Sequence, residues 1–174
     1  MSAPLLVRLD ARDRALMARC AIPPSAPPLW RLAWTGITHL GGTGGSVLAA
    51  GLPWFACCNL QRASRLALAA LVISHLLVQL VKRTVVRARP SLGCDLAVLV
   101  REPDRFSFPS GHATASMAVA LSYGAVFPPW AVPLAGLAAL VGFSRVRLGV
   151  HYPGDVVIGQ LIALVTTGTL LVAL

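Results

Sequence analysis

Apolar runs separated by short polar clusters make up most of this chain after residue 46. Four of the runs are close to the roughly 20 residues that a membrane-spanning helix needs. They cover residues 66–86, 109–127, 130–147 and 152–174. A shorter run at 46–60 is interrupted by Pro53, and a mixed run at 30–40 ends in a glycine-rich stretch. The pattern predicts an all-α, polytopic membrane helix bundle with five to six spans.

The first residues have a different, amphipathic pattern. Apolar side chains recur on one side of a helical wheel, with arginines beside them. These residues are Leu5, Leu9, Leu16 and Cys20, flanked by Arg8, Arg12 and Arg19. The pattern favours a helix in the membrane interface within residues 1–27, and the alternative is a frayed basic tail. Proline pairs at 23–24 and 27–28 end this segment.

Composition supports a membrane protein with a single domain, residues 1–174. Hydrophobic residues make up 56% of the chain and charged residues 12%, whereas soluble domains average about 25% charged. A formal net charge of +9 would suggest a nucleic-acid partner for a soluble chain. Because the apolar runs indicate a bilayer, the expected partners are anionic lipid headgroups or lipid phosphates, and no nucleic acid.

Polar clusters lie at the ends of the predicted spans. They occupy residues 82–90, 109–112, 144–145 and 151–155. Consecutive spans alternate in direction, so all four clusters fall on the same face of the membrane. Charge is costly within a membrane protein, and its convergence therefore indicates a functional site within residues 82–155.

Three cations in these clusters are placed to surround one phosphate. Lys82 and Arg89 are two helical turns apart, and Arg145 ends another span at the same depth. Guanidinium groups offer paired donors to phosphate oxygens. The alternative is interfacial anchoring, because lysine and arginine side chains extend to the interface at helix ends. That interpretation is kept for Arg83, Arg87 and Arg147.

The cluster at 109–112 predicts the start of a helix that binds an anion. Ser110 is a typical N-cap residue, Gly111 lets a ligand approach the backbone, and a helix N-terminus favours negative charge. His112 would lie in the first turn, beside that anion. The alternative is an N-cap followed by an unrelated histidine.

His151 and Asp155 predict an oriented histidine. The carboxylate is within reach of one ring nitrogen, which leaves the other free as a nucleophile or base. The alternative is that Asp155 caps its own helix and His151 is an interfacial polar residue. His75 lies within a span and is interpreted as packed or hydrogen-bonded. Because the sequence offers no carboxylate cluster for magnesium and no His/Cys set for zinc, it indicates phosphoryl transfer without a metal or cofactor.

Together the clusters resemble the signature of the type 2 phosphatidic acid phosphatase superfamily. Its three parts are Lys-x6-Arg-Pro, Pro-Ser-Gly-His and Ser-Arg-x5-His-x3-Asp, and all occur here in that order. The resemblance implies that His151 is the nucleophile that forms a phosphohistidine, that Asp155 orients it and that His112 protonates the leaving oxygen. It also implies phosphate binding by Lys82, Arg89, Ser110, Gly111 and Arg145. Membrane members typically have six spans, whereas the first span here is short and broken.

The leading hypothesis is an integral-membrane lipid phosphatase. Its candidate substrates are polyprenyl diphosphate, phosphatidylglycerophosphate and phosphatidate, and no motif chooses among them. The alternative is a non-enzymatic lipid-phosphate binder or transporter that uses the same cations. Two histidines and an orienting carboxylate favour the enzyme. The sequence leaves the oligomeric state open.

The distribution of basic residues predicts an orientation. If residues 30–40 cross the membrane, the N-terminal arginines lie opposite the site. Setting aside the expected phosphate ligands, that opposite side is then the more positive, and the positive-inside rule predicts a site outside the cytoplasm. If the first segment only lies on the surface, the argument reverses for the N-terminus. Small size and short loops suggest a bacterial inner membrane.

Overall fold

Helices make up the fold, as predicted. The computed structural model describes residues 5–23, 25–56, 58–90 and 106–173, without the side chains of residues 5–9. Seven α-helices lie within these ranges: α1 (Leu5–Cys20), α2 (Pro28–Leu40), α3 (Thr43–Gly51), α4 (Cys58–Val85), α5 (Gly111–Val126), α6 (Ala131–Arg147) and α7 (Pro153–Ala173). Short 3₁₀ turns at Leu52–Phe55 and Pro128–Trp130 precede α4 and α6.

Three of the described helical segments are long and apolar enough to cross a membrane, namely α4, Pro128–Arg147 and α7. The first of the four long apolar runs was predicted to start at residue 66. This start is wrong for the helix, because α4 begins at Cys58 and has 28 residues. Arg62 and Arg65 lie on the exposed side of its first turns, while Ala63 and Ser64 are fully buried. The charges that end the apolar run in the sequence therefore do not end the helix.

The runs at 30–40 and 46–60 do not form long helices, and neither α2 nor α3 is among the described candidate spans. α2 gives way to α3 at Gly41 and Gly42, and α3 has only nine residues. A Cβ atom at Gly41 would lie 2.5 Å from Val141 Cγ1 and 2.8 Å from the carbonyl oxygen of His112. Only glycine permits the break to pass this close to α5 and α6.

Small residues bring the central helices together. α5 packs against α4, α6 and α7, and Ala70, Ala118 and Ala163 form a cluster that is fully buried. Close backbone approach through small side chains is the usual way in which helices associate within membranes. Large apolar residues lie on the outside of the bundle, where Val165 and Val172 are 67% and 91% exposed. The outer surface is thus suited to lipid.

α1 packs across the end of the bundle where α6 ends and α7 begins. Met17 is buried at 2% exposed, whereas Leu16, which the helical wheel placed on the apolar side, is 50% exposed. The backbone N–H of Ile22 donates to the carbonyl of Arg147 over 2.8 Å, and that of Gly154 donates to Asp13 Oδ1 over 2.7 Å. The frayed-tail alternative is therefore wrong. The arrangement with the N-terminal arginines opposite the site is also wrong, because α1 lies at the site end.

Candidate active site

His151 lies in the short loop between α6 and α7. The backbone N–H groups of Val150 and His151 both donate to the carbonyl of Arg145, over 3.1 and 3.3 Å. Gly149 has a φ of 70°, a left-handed conformation that glycine adopts without strain. The loop therefore folds back on the last turn of α6 and carries His151 into the protein, where it is 1% exposed.

The hydrogen bonds of His151 define the roles of its two ring nitrogens. Arg89 Nη1 lies 3.1 Å from Nε2, and because a guanidinium group only donates, Nε2 is the acceptor. Nδ1 then carries the proton and lies 3.4 Å from Asp155 Oδ2, a separation longer than a strong hydrogen bond. Burial, together with the positive charges of Arg145, Arg89 and Lys82, lowers the pKa of His151 well below its ordinary value. The imidazole is therefore neutral, and the lone pair of Nε2 accepts the hydrogen bond from Arg89.

The three predicted cations converge around this ring. Lys82, Arg89 and Arg145 are 6%, 4% and 0% exposed. Arg89 Nη1 donates to the carbonyl of Val150 over 3.0 Å, and Arg145 Nη1 donates to Thr38 Oγ1 over 2.8 Å. Lys82 Nζ lies 3.4 Å from the carbonyl of Phe106. These hydrogen bonds to backbone and hydroxyl oxygens help to hold the cations beside His151.

The start of α5 lies beside the cations. Ser110 is the N-cap residue, its Oγ accepts from the backbone N–H of Ala113 over 3.5 Å, and its own N–H donates to the carbonyl of Asp155 over 3.0 Å. Gly111 and His112 follow in the first turn. The predicted N-cap and the predicted first-turn histidine are therefore both present, and the bond to Asp155 ties α5 to the start of α7.

A cavity of about 370 Å³ opens from the site into the bundle. Five of the eight predicted site residues line one end of it. These are Lys82, Arg89, Gly111, His112 and His151. The other three, Ser110, Arg145 and Asp155, are completely buried at 0% exposed. The remaining wall comes from α3, α4 and α5. The volume of the cavity falls within the usual range for small-ligand sites.

Sequence analysis missed the role of Arg87. Its Nη1 donates to Asp155 Oδ1 over 2.6 Å, and its Nη2 lies 2.7 Å from Asp10 Oδ1 and 2.8 Å from Asp13 Oδ2. Its guanidinium carbon is 4.0 Å from the ring centroid of Tyr152. Burial lowers the pKa of Arg87, but Asp155, Asp10 and Asp13 outweigh burial and raise it above its ordinary value. The interpretation of Arg87 as an interfacial anchor is wrong.

Asp155 caps α7 and also lies beside His151. Its Oδ2 accepts from the backbone N–H of Tyr152 over 2.9 Å, which caps α7, and the same atom faces His151. Its other oxygen binds Arg87. The carboxylate is thus held by the N–H and the guanidinium group while it lies next to the imidazole ring.

Two further residues support the site without any sequence motif. Thr38 on α2 is 0% exposed and binds Arg145. Arg147 donates to the carbonyl of Cys20 over 2.8 Å, and its guanidinium carbon lies 5.4 Å from the ring centroid of Trp34. Arg147 therefore connects α6 to the N-terminal segment, and its interpretation as an interfacial anchor is wrong. Arg83 is exposed on α4, so anchoring stays the prediction for it.

Metal-ligand clusters were not expected from the sequence. Among the residues that the structure describes, there is no group of three or more His, Cys, Asp or Glu side chains that could hold a metal ion. The chemistry of the site is argued below from the side chains of the chain itself.

Comparisons with known proteins agree with the geometry. Residues 63–173 match the PAP2 superfamily. A decaprenylphosphoryl-5-phosphoribose phosphatase from Mycobacterium tuberculosis is 40% identical over 126 residues, which are 71% of this chain and 69% of the relative. A lipid A 1-phosphatase from Rhizobium johnstonii is 39% identical over 93 residues, which are 51% of this chain and 38% of that protein.

The fold is also that of a solved membrane phosphatase. The crystal structure of a transmembrane PAP2-type phosphatidylglycerolphosphate phosphatase from Bacillus subtilis superimposes with a TM-score of 0.70 at 28% identity. The match covers 93% of this chain and 86% of the other. The expected fold and the expected class of enzyme, a lipid phosphatase, are confirmed. With the signature residues gathered around one buried histidine and the family match across most of the bundle, the chain belongs to the PAP2 superfamily.

Proposed function

We propose that this integral-membrane protein hydrolyses a lipid phosphate through a phosphohistidine intermediate on His151. One observation carries the proposal. Nε2 of a buried, neutral histidine lies at the end of a cavity whose wall also holds Lys82, Arg89 and the N-terminus of α5. An anionic phosphate would be stabilised there by the cations and by the backbone N–H groups of the first helical turn.

The proposed reaction has two steps. Nε2 of His151 attacks phosphorus, the bond between phosphorus and the lipid oxygen breaks, and His112 gives its proton to that oxygen. A water molecule then attacks phosphorus and gives its proton to His112, the bond between phosphorus and Nε2 of His151 breaks, and inorganic phosphate leaves. Asp155 beside Nδ1 stabilises the positive charge that develops on the imidazole ring when it is phosphorylated.

The proposed substrates are phosphates attached to long hydrocarbon chains. The cavity lies between helices whose outer surfaces are apolar, so a lipid can keep its chains in the bilayer while its phosphate reaches Lys82. Polyprenyl diphosphate, phosphatidylglycerophosphate and phosphatidate are candidates from the sequence. The name of the Mycobacterium relative supports a fourth candidate, a phosphorylated sugar on a prenyl phosphate.

A non-enzymatic binder or transporter would need the cations but not the histidine geometry. Asp155 lies beside Nδ1 while the opposite nitrogen, Nε2, faces Arg89. This arrangement favours chemistry on the bound phosphate over binding alone.

The direct test is phosphate release from a panel of long-chain lipid phosphates in mixed micelles with excess EDTA. Release is expected to persist with the chelator, and acid-quenched enzyme is expected to retain labelled phosphate on His151. A requirement for magnesium would contradict the proposed mechanism. Equal efficiency on glycerol phosphate and on its long-chain diacyl ester would contradict the lipid substrate, and no release from any member of the panel would favour the binder.

We also propose a bacterial plasma membrane and a site on its cytoplasmic side. The expectation of an extracytoplasmic site depended on N-terminal arginines opposite the site, and the packing of α1 against α6 and α7 removes that premise. Arg12, Arg14 and Arg19 then add to the site end, whereas Arg62 and Arg65 lie at the start of α4, the other end of that helix. The positive-inside rule accordingly favours the cytoplasm for the site end.

Cysteine labelling in intact cells tests this orientation. In a background without the native cysteines, Arg12→Cys marks the site end and Asn59→Cys marks the opposite end, and both positions are exposed. A maleimide that does not cross membranes is expected to label position 59 and to reach position 12 only after the cells are permeabilised. The reverse pattern would restore the extracytoplasmic site.

A further inference from the structure

A polar stripe on α4 continues from the phosphate-binding end of the cavity toward the middle of the bundle. Gln79 and His75 come three and seven residues before Lys82, and all three line the cavity. At the helical rise of 1.5 Å per residue, the two polar residues are roughly 4.5 and 10 Å from Lys82 along the axis. Their side chains are in contact, with 3.3 Å between the two Nε2 atoms. His75 is therefore hydrogen-bonded, which was one of the two interpretations of this residue from the sequence.

His75 lies in a lipid-facing environment. The residue is exposed, and its neighbours Val72 and Leu76 are 59% and 63% exposed on the outside of α4. Polar ionisable side chains within a membrane span are costly and mark a function by default. Because His75 also lines the cavity, it lies where the cavity opens toward the bilayer.

α3 adds a buried hydroxyl group to the cavity wall. Ser46 on α3 lines the cavity and is 3% exposed, and its Oγ has no hydrogen-bond partner among the residues that the structure describes. Thr43, one turn earlier, also lines the cavity. A buried hydroxyl group without a hydrogen bond is unfavourable, so Ser46 indicates a polar ligand group at this part of the wall.

The lining changes character along its length. Its described Lys and Arg residues are Lys82 and Arg89, both at the site end. Beyond Lys82, the lining from α4 mixes polar and apolar side chains, because Leu76 and Val78 line the cavity as well as His75. The wall thus has a cationic end and a mixed polar and apolar remainder. A matching molecule carries a phosphate, followed by hydroxyl groups and hydrocarbon.

We propose that Ser46, His75 and Gln79 bind a hydroxylated spacer, such as a single sugar ring, that joins the phosphate to the lipid chain. Sugar hydroxyl groups both donate and accept, as do the serine hydroxyl, the imidazole and the amide. The ester carbonyls of a diacylglycerol only accept. A prenyl diphosphate is a poorer match, because its second phosphate would lie farther along the cavity than the cations Lys82 and Arg89. This inference rests on the proposed phosphatase function and specifies its substrate class.

The test compares three substrates in mixed micelles with lipid expressed as surface concentration. They are an acylated sugar 1-phosphate with a sugar spacer and no second phosphate, phosphatidate with a glycerol-ester spacer, and a polyprenyl diphosphate without a spacer. The wild-type protein is expected to have its highest kcat/KM on the sugar-linked substrate. Gln79→Leu is expected to reduce the ratio of kcat/KM between the sugar-linked and spacer-free substrates about fivefold, the usual effect of one lost hydrogen bond.

Two further variants keep the test interpretable. Ser46→Ala removes a single oxygen atom, so it preserves the packing of α3, and it is expected to shift the same ratio in the same direction. Leu80→Met is the matched control on α4, since Leu80 is 61% exposed and does not line the cavity. It is expected to leave the ratio unchanged.

The outcomes separate the spacer from the phosphatase itself. Equal losses on all three substrates in Gln79→Leu and Ser46→Ala would overturn the spacer site while leaving lipid phosphate hydrolysis intact. A shift confined to phosphatidate would overturn the sugar and assign these residues to an ester spacer. A wild-type protein that releases no phosphate from any of the three would refute the proposed function and the spacer with it.

Discussion

Arg87 and Arg89 are two residues apart and lie in different electrostatic surroundings. Arg89 belongs to an inner pocket with Lys82, Arg145 and His151, in which Lys82 and Arg89 line the cavity. Arg87 belongs to an outer network, defined by its contacts with Asp10, Asp13 and Asp155.

The difference separates two uses of positive charge. In the inner pocket, positive charges lie close together around His151, an arrangement that attracts an anion such as a phosphate. In the outer network, each carboxylate has a guanidinium partner, so the network is stable without a ligand. We infer that the inner pocket serves catalysis and the outer network serves the fold. Asp155 connects them, because one of its oxygens faces His151 and the other binds Arg87.

The largest expected effect is at the imidazole ring of the inner pocket. His151→Ala removes the proposed nucleophile, so phosphate release is expected to fall at least about 10³-fold, the scale seen when nucleophilic residues are removed. Acid-quench trapping with labelled substrate is expected to find no phosphoenzyme. The thermal midpoint of His151→Ala in detergent should stay close to that of the wild-type protein. Trapped label on His151→Ala would place the nucleophile elsewhere.

Removal of a cation from the inner pocket should affect activity more than stability. Arg145→Ala is expected to reduce kcat/KM about 10² to 10³-fold, as for other groups that stabilise a developing negative charge. Inhibition by vanadate, which resembles the five-coordinate phosphoryl transition state, should weaken in parallel. Arg83→Ala is the control, because Arg83 is exposed on α4. Full vanadate sensitivity in Arg145→Ala would exclude this arginine from the phosphate site.

Removal of Arg87, the central cation of the outer network, should affect stability more than activity. Arg87→Ala leaves three carboxylates close together without their shared partner, and loss of one member of a buried pair typically costs about 3 kcal/mol. The thermal midpoint in detergent is expected to fall clearly below that of Arg145→Ala. Arg87→Lys should recover part of the lost thermal stability. If Arg87→Ala melts like wild type, the outer network contributes no stability and the comparison fails.

The smallest expected effect is at α1. Asp13→Asn keeps the acceptor for the N–H of Gly154 and loses the charge that faces Arg87. A partly exposed ion pair contributes up to about 1 kcal/mol, so a small decrease in the thermal midpoint is expected, and less of it at high salt. Asp13→Ala also loses the acceptor and should be less stable than Asp13→Asn. Equal stability of the two variants would mean that the Gly154 bond does not hold α1 in place.

Motif spacing predicted the inner pocket but not the outer network. The motif residues lie at helix ends, and alternating spans bring helix ends together whatever the details of packing. Arg87 instead depends on contacts with residues 68 and 77 positions away in the chain. Its extended segment follows Val86, whose φ of 23° redirects the chain after α4. Alternation along an extended segment would place Arg87 and Arg89 on the same side, so no local pattern separated the two arginines.

The position of α1 could not be predicted for a related reason. An amphipathic pattern shows that one side of a helix is buried, but not what buries it. Met17 packs against residues of α5, α6 and α7, and no local property of residues 5–20 specifies those partners. The assumption that the N-terminal arginines lay opposite the site was wrong because of this non-local packing.

The central helix of the bundle also has a consequence for the surrounding bilayer. α5 has 16 residues and so rises about 24 Å, whereas the hydrocarbon layer of a typical membrane is about 30 Å thick. Because α5 is packed inside the bundle, we infer that its N-terminus lies below the level of the headgroups. A thinner membrane would bring lipid phosphates closer to that N-terminus. We therefore expect the acyl-chain length of the host membrane to affect how readily substrate reaches the protein.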